Sequence, residues 1–139
     1  MSDRDRTVAV MTAFAVVELV VADMAAAVAF YARLGLEAPP GSHTEDHVEV
    51  GLPGGLKLAF DTESMIKSID PQWAPPTGGH RMALAFQCDG PAEVDRLYAD
   101  LTGAGYDGHL APFDAFWGHR YATVVDPDGN HVDLYASLG

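Results

Sequence analysis

Apolar residues in the first part of the chain follow a strand period and then a helical period. Residues 13–21 are rich in Val and predict a strand, and Asp23 is in position to cap a helix directly after it. Apolar residues then recur at helical spacing over residues 24–34, and Gly35 is suited to end that helix. The pattern predicts a strand that leads directly into a helix.

Up to three short extended segments are expected after this helix. Residues 37–41 contain too much Pro for a central strand. Residues 47–52 and 56–61 alternate apolar and polar side chains, and the Pro-Gly-Gly turn at 53–55 joins them. This part of the chain therefore predicts the order strand, helix and about three strands.

The residues at the end of the first predicted helix are repeated, with changes, later in the sequence. AFYARLGLE at residues 29–37 has a near copy, RLYADLTGAG, at residues 96–105, and an offset of 67 places Phe30 on Leu97. The same offset places the first strand on an apolar run that ends at Cys88. The repeat includes a strand and a helix, so we expect two modules of the same kind.

The second module is predicted to contain a strand, a helix, a weak strand, an aromatic loop and a closing hairpin. The turn of the hairpin, DPDGN at 126–130, has Pro and Gly where a tight turn requires them. In chain order the predicted elements are 82–88, 91–101, 109–111, 112–118, 120–125 and 131–136.

Pro and Gly are concentrated between the two modules, which predicts a connector there. We expect one compact domain with an N-terminal segment, a first module, the connector and a second module. The bounds of these four segments are 1–12, 13–61, 62–80 and 81–137.

The chain is strongly acidic, with 20 acidic and 8 basic residues and a formal net charge of -12. Such a charge repels nucleic acid and anionic membranes, so neither is expected as a partner. The single Cys, Cys88, excludes an internal disulfide and predicts a cytoplasmic protein. The apolar run near the N-terminus contains Glu18 and lacks a cleavage site, so we expect no signal peptide and no membrane span.

Short motifs in the two modules occur in the order that is typical of one superfamily. They are Asp23, Phe30-Tyr31, Leu34-Gly35, Trp117-Gly118 leading to Arg120, Asp126 to Asn130, and Asp133-Leu134. Over residues 13–137 the chain resembles the vicinal oxygen chelate superfamily, in its glyoxalase and bleomycin-resistance branch. The resemblance implies an α+β fold of two tandem βαβββ modules, whose curled mixed sheets form a cup with the helices outside, and a homodimer.

The resemblance also implies a divalent metal in the cup, with two ligands from each module. The corresponding positions in this chain are Val16, Lys57, Ala83 and Asp133. Val and Ala have no lone pair and a Lys ammonium repels a dication, so only Asp133 is a suitable ligand. We expect neither a metal nor another cofactor, and His80 is the nearest replacement ligand if its strand shifts in register.

Strand alternation predicts which side chains line the cup. Val17 and Leu19 should pack against the helices, which leaves Glu18 between them to face the cup. Aromatic residues in the loops are expected to form flat walls for a planar ligand. The predicted ligand-binding residues are Glu18, His47, Glu49, Lys57, Trp73, Phe113, Trp117, Asp133 and Tyr135.

These residues also have structural interpretations. Glu18 could pair with Lys57 across the sheet, and His47 could be a solvated strand residue. Asp133 could accept a hydrogen bond from Tyr135 or from a ligand, and the loop aromatics could hold their loops against the core.

Two further polar residues, His119 and Arg120, lie at the start of the last hairpin. Arg120 is expected to form a bridge to Asp126 or Asp128, and His119 is a candidate proton carrier because imidazole titrates near about pH 6.5. The motifs contain no nucleophile with an adjacent base, so no catalytic residue is assigned.

Three functions remain open on this sequence. The first is a homodimeric, metal-independent protein that binds a small aromatic or cationic compound, such as an antibiotic or a toxic metabolite. The second is a lyase, isomerase or hydrolase of the same fold, with or without a metal, in which Glu49, Asp133 or His47 is the general base. The third is a module whose cup binds nothing and whose role is dimerisation.

Overall fold

The computed structural model describes residues 12–139, so the predicted N-terminal segment lies almost entirely outside the described residues. The described part is an α+β structure with seven strands in two mixed sheets and three α-helices. None of its helices is long and apolar enough to cross a membrane.

The first module follows the predicted order of strand, helix and strands. Its elements are β1 (Val16–Val21), α1 (Met24–Ala32), β2 (His47–Gly51) and β3 (Lys57–Thr62). The sheet has the order β1-β3-β2, with β1 parallel and β2 antiparallel to β3. Residues 37–41 form no strand, so this module has three strands in the described structure.

The predicted ends of α1 are confirmed by its caps. A carboxylate oxygen of Asp23 accepts a hydrogen bond from the backbone N–H of Ala26 at 3.2 Å. Gly35 has a φ of 88°, a left-handed conformation that favours Gly over other residues. The capping carboxylate and the Gly fix the direction in which the chain enters and leaves the helix.

The predicted connector begins with a helix that the sequence pattern did not indicate. This helix is α2 (Glu63–Ile69), and the hydroxyl of Thr62 caps it by accepting a hydrogen bond from the N–H of Met65 at 3.2 Å. It packs against β1 and β3. Residues 70–82 then continue without regular structure toward the second module.

The second module has one more strand than the first. Its elements are β4 (Ala83–Gln87), α3 (Pro91–Gly103), β5 (Gly108–Asp114), β6 (His119–Val125) and β7 (His131–Ser137). The strand order is β4-β7-β6-β5, and β4 runs parallel to β7. β5 is longer than the predicted weak strand, so it includes the first residues of the predicted aromatic loop.

The hydrophobic core lies between the helices and one face of each sheet. In the first module Val48, Val50, Leu58 and Phe60 are buried as strand alternation predicts. Val21 is also buried in this core, and Val17 and Leu19 are half-buried and pack against it. In the second module Val132 and Leu134 alternate in the same way below α3. We call the opposite face of both sheets the cup face.

Candidate functional site

The cup face of the first sheet carries a row of ionisable side chains. His47 and Glu49 lie on β2, and the register places them opposite Asp61 and Ala59 of β3. Glu18 of β1 lies opposite Ala59 on the other side of β3. The three-stranded sheet therefore brings three predicted ligand-binding residues, Glu18, His47 and Glu49, onto one face.

His47 lies between two carboxylates. Its Nδ1 atom contacts the buried Asp61 carboxylate, and its Nε2 atom is 2.9 Å from Glu49. The hydrogen bonds to Asp61 and then to Glu49 raise the pKa of His47 above its ordinary value. Both ring nitrogens are thus engaged within the protein.

Lys57 joins the same network through Glu49. Its Nζ atom is 3.2 Å from the carboxylate of Glu49, whose pKa is lowered first by His47 and then by Lys57. The expected pair between Glu18 and Lys57 is not formed, because the register places Glu18 opposite Ala59 and Lys57 opposite Val16. Glu18 therefore forms no ion pair with Lys57.

A cavity of about 440 Å³ lies where the two modules meet. Its walls include residues of β1 and β4, the start of α2, the turn between β6 and β7, and the irregular segment 70–82. Two predicted ligand-binding residues, Glu18 and Trp73, line it. Its apolar walls come from Trp73, Pro75, Pro76 and Met82. We call this space the junction cavity.

The junction cavity has an excess of negative charge. Among residues 12–139, three carboxylates line it, those of Glu18, Glu63 and Asp128, against one guanidinium, that of Arg81. Burial, together with the negative charges of Asp126, Glu63 and Asp23, raises the pKa of Asp128. The backbone N–H of Ala22 donates a hydrogen bond to Asp128 at 2.9 Å, and this contact acts in the other direction by lowering the pKa. A cation in the cavity would relieve this repulsion.

A second, larger groove of about 530 Å³ lies between the modules on the side of Leu36 and Leu52. In the described part of the chain, its lining consists of aliphatic, aromatic and Pro side chains with a single side-chain amide, that of Gln87, and includes no ionisable group. A charged ligand would lose its hydration there without gaining a partner, so the junction cavity is the better site for one.

The cup face of the second sheet holds the other predicted aromatic and acidic residues. Phe113, Tyr121 and Tyr135 lie directly opposite one another across β5, β6 and β7. Trp117 follows β5 in the turn to β6, and its ring centroid is 5.2 Å from that of Tyr121. These residues do not line the junction cavity.

Asp133 is bound within this group by two hydroxyls. Tyr121 donates to one carboxylate oxygen at 2.5 Å and Thr123 donates to the other at 2.7 Å. Partial burial and then this bond raise the pKa of Tyr121 to about 12. Tyr135, the donor expected from the sequence, does not contact Asp133, because the strand register brings Tyr121 and Thr123 to it instead.

Arg120 does not bridge to the hairpin turn as expected. Its guanidinium is 3.0 Å from Asp95 of α3 and 3.1 Å from Asp114 of β5. Arg120 lies on the face of β6 opposite to His119 and Tyr121, because side chains alternate along a strand. The predicted bridge to Asp126 or Asp128 is therefore wrong.

The strand register corrects one of the four positions implied for a metal. Ala85 lies opposite Asp133, and its counterpart in the first module, Glu18, lies opposite Ala59. Ala59, not Lys57, is thus the structural equivalent of Asp133. His80 precedes β4 and lines the junction cavity, and Ala83 keeps its register with His131, so no shift brings His80 into the sheet.

The residues present do not fit a divalent ion at these positions. Val16, Ala59 and Ala83 offer no lone pair, and both oxygens of Asp133 already accept hydroxyl hydrogen bonds. Among residues 12–139, no three His, Cys, Asp or Glu side chains are grouped as metal ligands. The donor set therefore disagrees with the metal that the resemblance implies.

Several residues of the site were missed from the sequence. Glu63, Arg81 and Asp128 line the junction cavity, and Tyr121 holds Asp133. Alternation along β6 and β7 was a usable signal for Tyr121, since it shares a face with Asp133. The position of Glu63 could not be predicted from the sequence, because α2 falls in a segment whose composition indicates a connector.

Comparison with known proteins agrees with this architecture. A sequence model of the Glyoxalase/Bleomycin resistance protein/Dioxygenase superfamily matches residues 13–134. No functionally curated protein matches the chain.

Solved structures show the same fold at low sequence identity. A glyoxalase/bleomycin resistance protein/dioxygenase family enzyme from Burkholderia phytofirmans PsJN is 20% identical, with 91% of this chain and 100% of that chain covered and a TM-score of 0.78. A glyoxalase/bleomycin resistance protein/dioxygenase from Nocardioides is 24% identical, with 97% and 91% covered and a TM-score of 0.72. A glyoxalase-related enzyme from Fulvimarina pelagi is 23% identical, with 92% and 89% covered and a TM-score of 0.74.

Proposed function

The chain belongs to the Glyoxalase/Bleomycin resistance protein/Dioxygenase superfamily, and we propose that it binds a small aromatic or cationic compound, such as an antibiotic or toxic metabolite, without a metal. Binding takes place in the junction cavity and lowers the free concentration of the compound. Binding of this kind breaks no covalent bond in the compound. The location that we propose is the cytoplasm, where the single buried Cys88 needs no partner.

The observation that supports this proposal most is the composition of the junction cavity. Its volume of about 440 Å³ falls in the range of sites for small ligands. Trp73 and the neighbouring Pro75 and Pro76 give it flat apolar walls, while Glu18 and Glu63 supply charge. Apolar contact then accounts for most of the affinity, and the carboxylates select the charge and orientation of the ligand.

The charge of the whole molecule acts in the same direction. A net charge of -12 attracts cations toward the protein surface, and the carboxylates of the cavity direct that attraction to one place. Anionic metabolites, including phosphorylated ones, are repelled by the same field. We therefore expect positively charged or neutral aromatic ligands and no acidic ones.

Metal independence is supported by the side chains at the four positions that the family resemblance implies for an ion. Three of the four positions, including the corrected Ala59, have purely aliphatic side chains. The proposal also includes a homodimer. Phe14 and Phe116 are 79% and 98% exposed, and association of two copies would remove such apolar side chains from water.

An enzymatic role with Glu49, Asp133 or His47 as general base has weaker support. Both nitrogens of His47 and both oxygens of Asp133 are engaged in hydrogen bonds within the protein. A general base needs a free lone pair directed at the substrate. Turnover of a bound compound that is lost in Asp133→Asn while binding is kept would favour this alternative.

The two Trp residues allow a direct test of the binding proposal. In Trp117→Phe, Trp73 is the remaining Trp and reports on the junction cavity; in Trp73→Phe, Trp117 remains as the control. Titration with a panel of planar aromatic cations should give a saturable change of fluorescence in Trp117→Phe. An unchanged signal from that variant across the whole panel would contradict the proposal.

A further inference from the structure

Three aromatic side chains on the cup face of the second sheet form a corner that is separate from the junction cavity. The ring of Tyr121 stands at 78° to the ring of Phe113 and at 78° to the ring of Trp117, with centroids 5.9 and 5.2 Å apart. Such nearly perpendicular rings are walls, not a flat stacking surface. We call Phe113, Trp117 and Tyr121 the aromatic corner.

The aromatic corner is accessible and its geometry is fixed by the protein. Phe113 and Trp117 are 38% and 48% exposed. The indole N–H of Trp117 donates a hydrogen bond to Nδ1 of His119 at 3.0 Å, and the His119 ring lies against Tyr135 at 5.1 Å. Since an indole only donates, this bond places the proton of a neutral His119 on Nε2. Trp117 is thereby held in place before any ligand binds.

A negative charge lies next to the aromatic corner, on Asp133. Asp133 contacts the hydroxyl of Tyr121 at 2.5 Å and that of Thr123 at 2.7 Å. Within residues 12–139 it forms no ion pair with Lys, Arg or His, because the nearby Arg120 is bound to Asp95 and Asp114 on the other face. Asp133 therefore places a negative charge without a cationic partner beside the aromatic corner.

We propose that the aromatic corner binds a methylated ammonium group, such as a trimethylammonium. This cation has no N–H group, so it requires no hydrogen-bond acceptor at the site. Its methyl groups gain from contact with the electron-rich ring faces, and Asp133 adds charge attraction. A primary ammonium would exchange its water hydrogen bonds for rings that accept poorly. This site goes beyond the proposed function, since its residues do not line the junction cavity.

The test uses choline and its neutral isostere 3,3-dimethylbutanol as probes, with binding followed by calorimetry and by chemical-shift changes of the Trp117 indole N–H. We expect choline to bind and the neutral alcohol to bind at least about fivefold more weakly. Trp117→Leu should abolish choline binding, and Asp133→Asn, which keeps the shape but removes the charge, should weaken it several-fold. Trp73→Leu, in the junction cavity, should leave it unchanged.

Three results would overturn the inference: equal binding of the two probes, choline binding that survives Trp117→Leu, or choline binding that is lost in Trp73→Leu. Circular dichroism of each variant excludes unfolding as the cause.

Phosphatidylcholine vesicles distinguish whether the methylated ammonium group comes from a soluble compound or from a lipid. Binding of free choline alone indicates a soluble ligand, whereas cosedimentation that is lost in Trp117→Leu indicates a lipid headgroup, and both support the inference. Loss of choline binding leaves the Trp73 titration of the cavity unaffected, so the two proposals fail separately.

Discussion

The hydroxyl of Tyr31 in α1 donates a hydrogen bond of 2.7 Å to the carboxylate of Asp126 in the β6–β7 turn. This bond joins the first module to the second across 95 residues of sequence. Both residues are buried, and burial and then the charge of Asp126 raise the pKa of Tyr31. Asp126 also accepts from the backbone N–H groups of Asp128 and Asn130 at 2.9 and 2.8 Å. One carboxylate thus shapes the turn that lines the junction cavity and ties it to the first module.

Tyr31→Phe is predicted to destabilise the protein. The substitution keeps the ring, but it removes one donor from a buried carboxylate, which costs about 1 to 2 kcal/mol of the free energy of unfolding. Urea unfolding measures the difference. Tyr98→Phe is the matched control, since the hydroxyl of Tyr98, which lies beside Gly108, makes no hydrogen bond within residues 12–139 and its loss should have a smaller effect. Equal effects of the two substitutions would contradict the assigned role.

The network around His47 predicts a pH dependence of stability. The pKa of His47 is raised in the folded protein by Asp61 and then by Glu49, so protonation favours the folded state. This contribution is complete below the unfolded pKa of about 6.5 and is lost as pH rises through the higher folded value. His47→Asn should therefore differ most from the unmodified protein in mildly acidic solution. A stability difference that grows with rising pH through this window would have the wrong sign.

Gly108 at the start of β5 is predicted to tolerate no side chain. A Cβ atom there would lie 2.7 Å from Cζ of Tyr98 and 3.1 Å from Cγ2 of Thr102. Gly108→Ala should cost about 1 to 3 kcal/mol, because the side chains of Tyr98 and Thr102 in α3 must move to make room for the added methyl group. Gly103→Ala, whose Cβ meets nothing within 4 Å, is the control and should be neutral or slightly stabilising. The pair Gly108→Ala with Tyr98→Leu should recover part of the loss in thermal unfolding.

The repeated pattern of the sequence was sufficient to predict most of the fold. Alternation placed Val48, Val50 and Leu58 in the core, and the cap at Asp23 and the stop at Gly35 were found as predicted. The sequence pattern did not predict α2, because this helix is short and lies beside a Pro-rich segment, which leaves little periodicity to detect. Local pattern thus determined the elements more reliably than their connections.

The partners of charged residues were much harder to predict. Arg120 pairs with Asp95, which is 25 residues away on α3, instead of with the adjacent turn. Lys57 pairs with Glu49 and not with Glu18, because register and not proximity in the pattern decides which side chains meet. Which charged residues form ion pairs depends on how two secondary-structure elements pack together, and a single sequence carries little information on that packing.

The most direct test of the central claim is calorimetry of proflavine, a planar aromatic cation, with protein that has been treated with a chelator and dialysed. We predict binding to one site that is unchanged by the treatment and at least about fivefold weaker in Glu63→Gln and for the neutral analogue acridine. Asp95→Asn, a carboxylate outside the cavity, is the control and should leave the affinity unchanged. Binding that disappears with the chelator and returns with a divalent ion, or that does not distinguish the cation from acridine, would contradict the account.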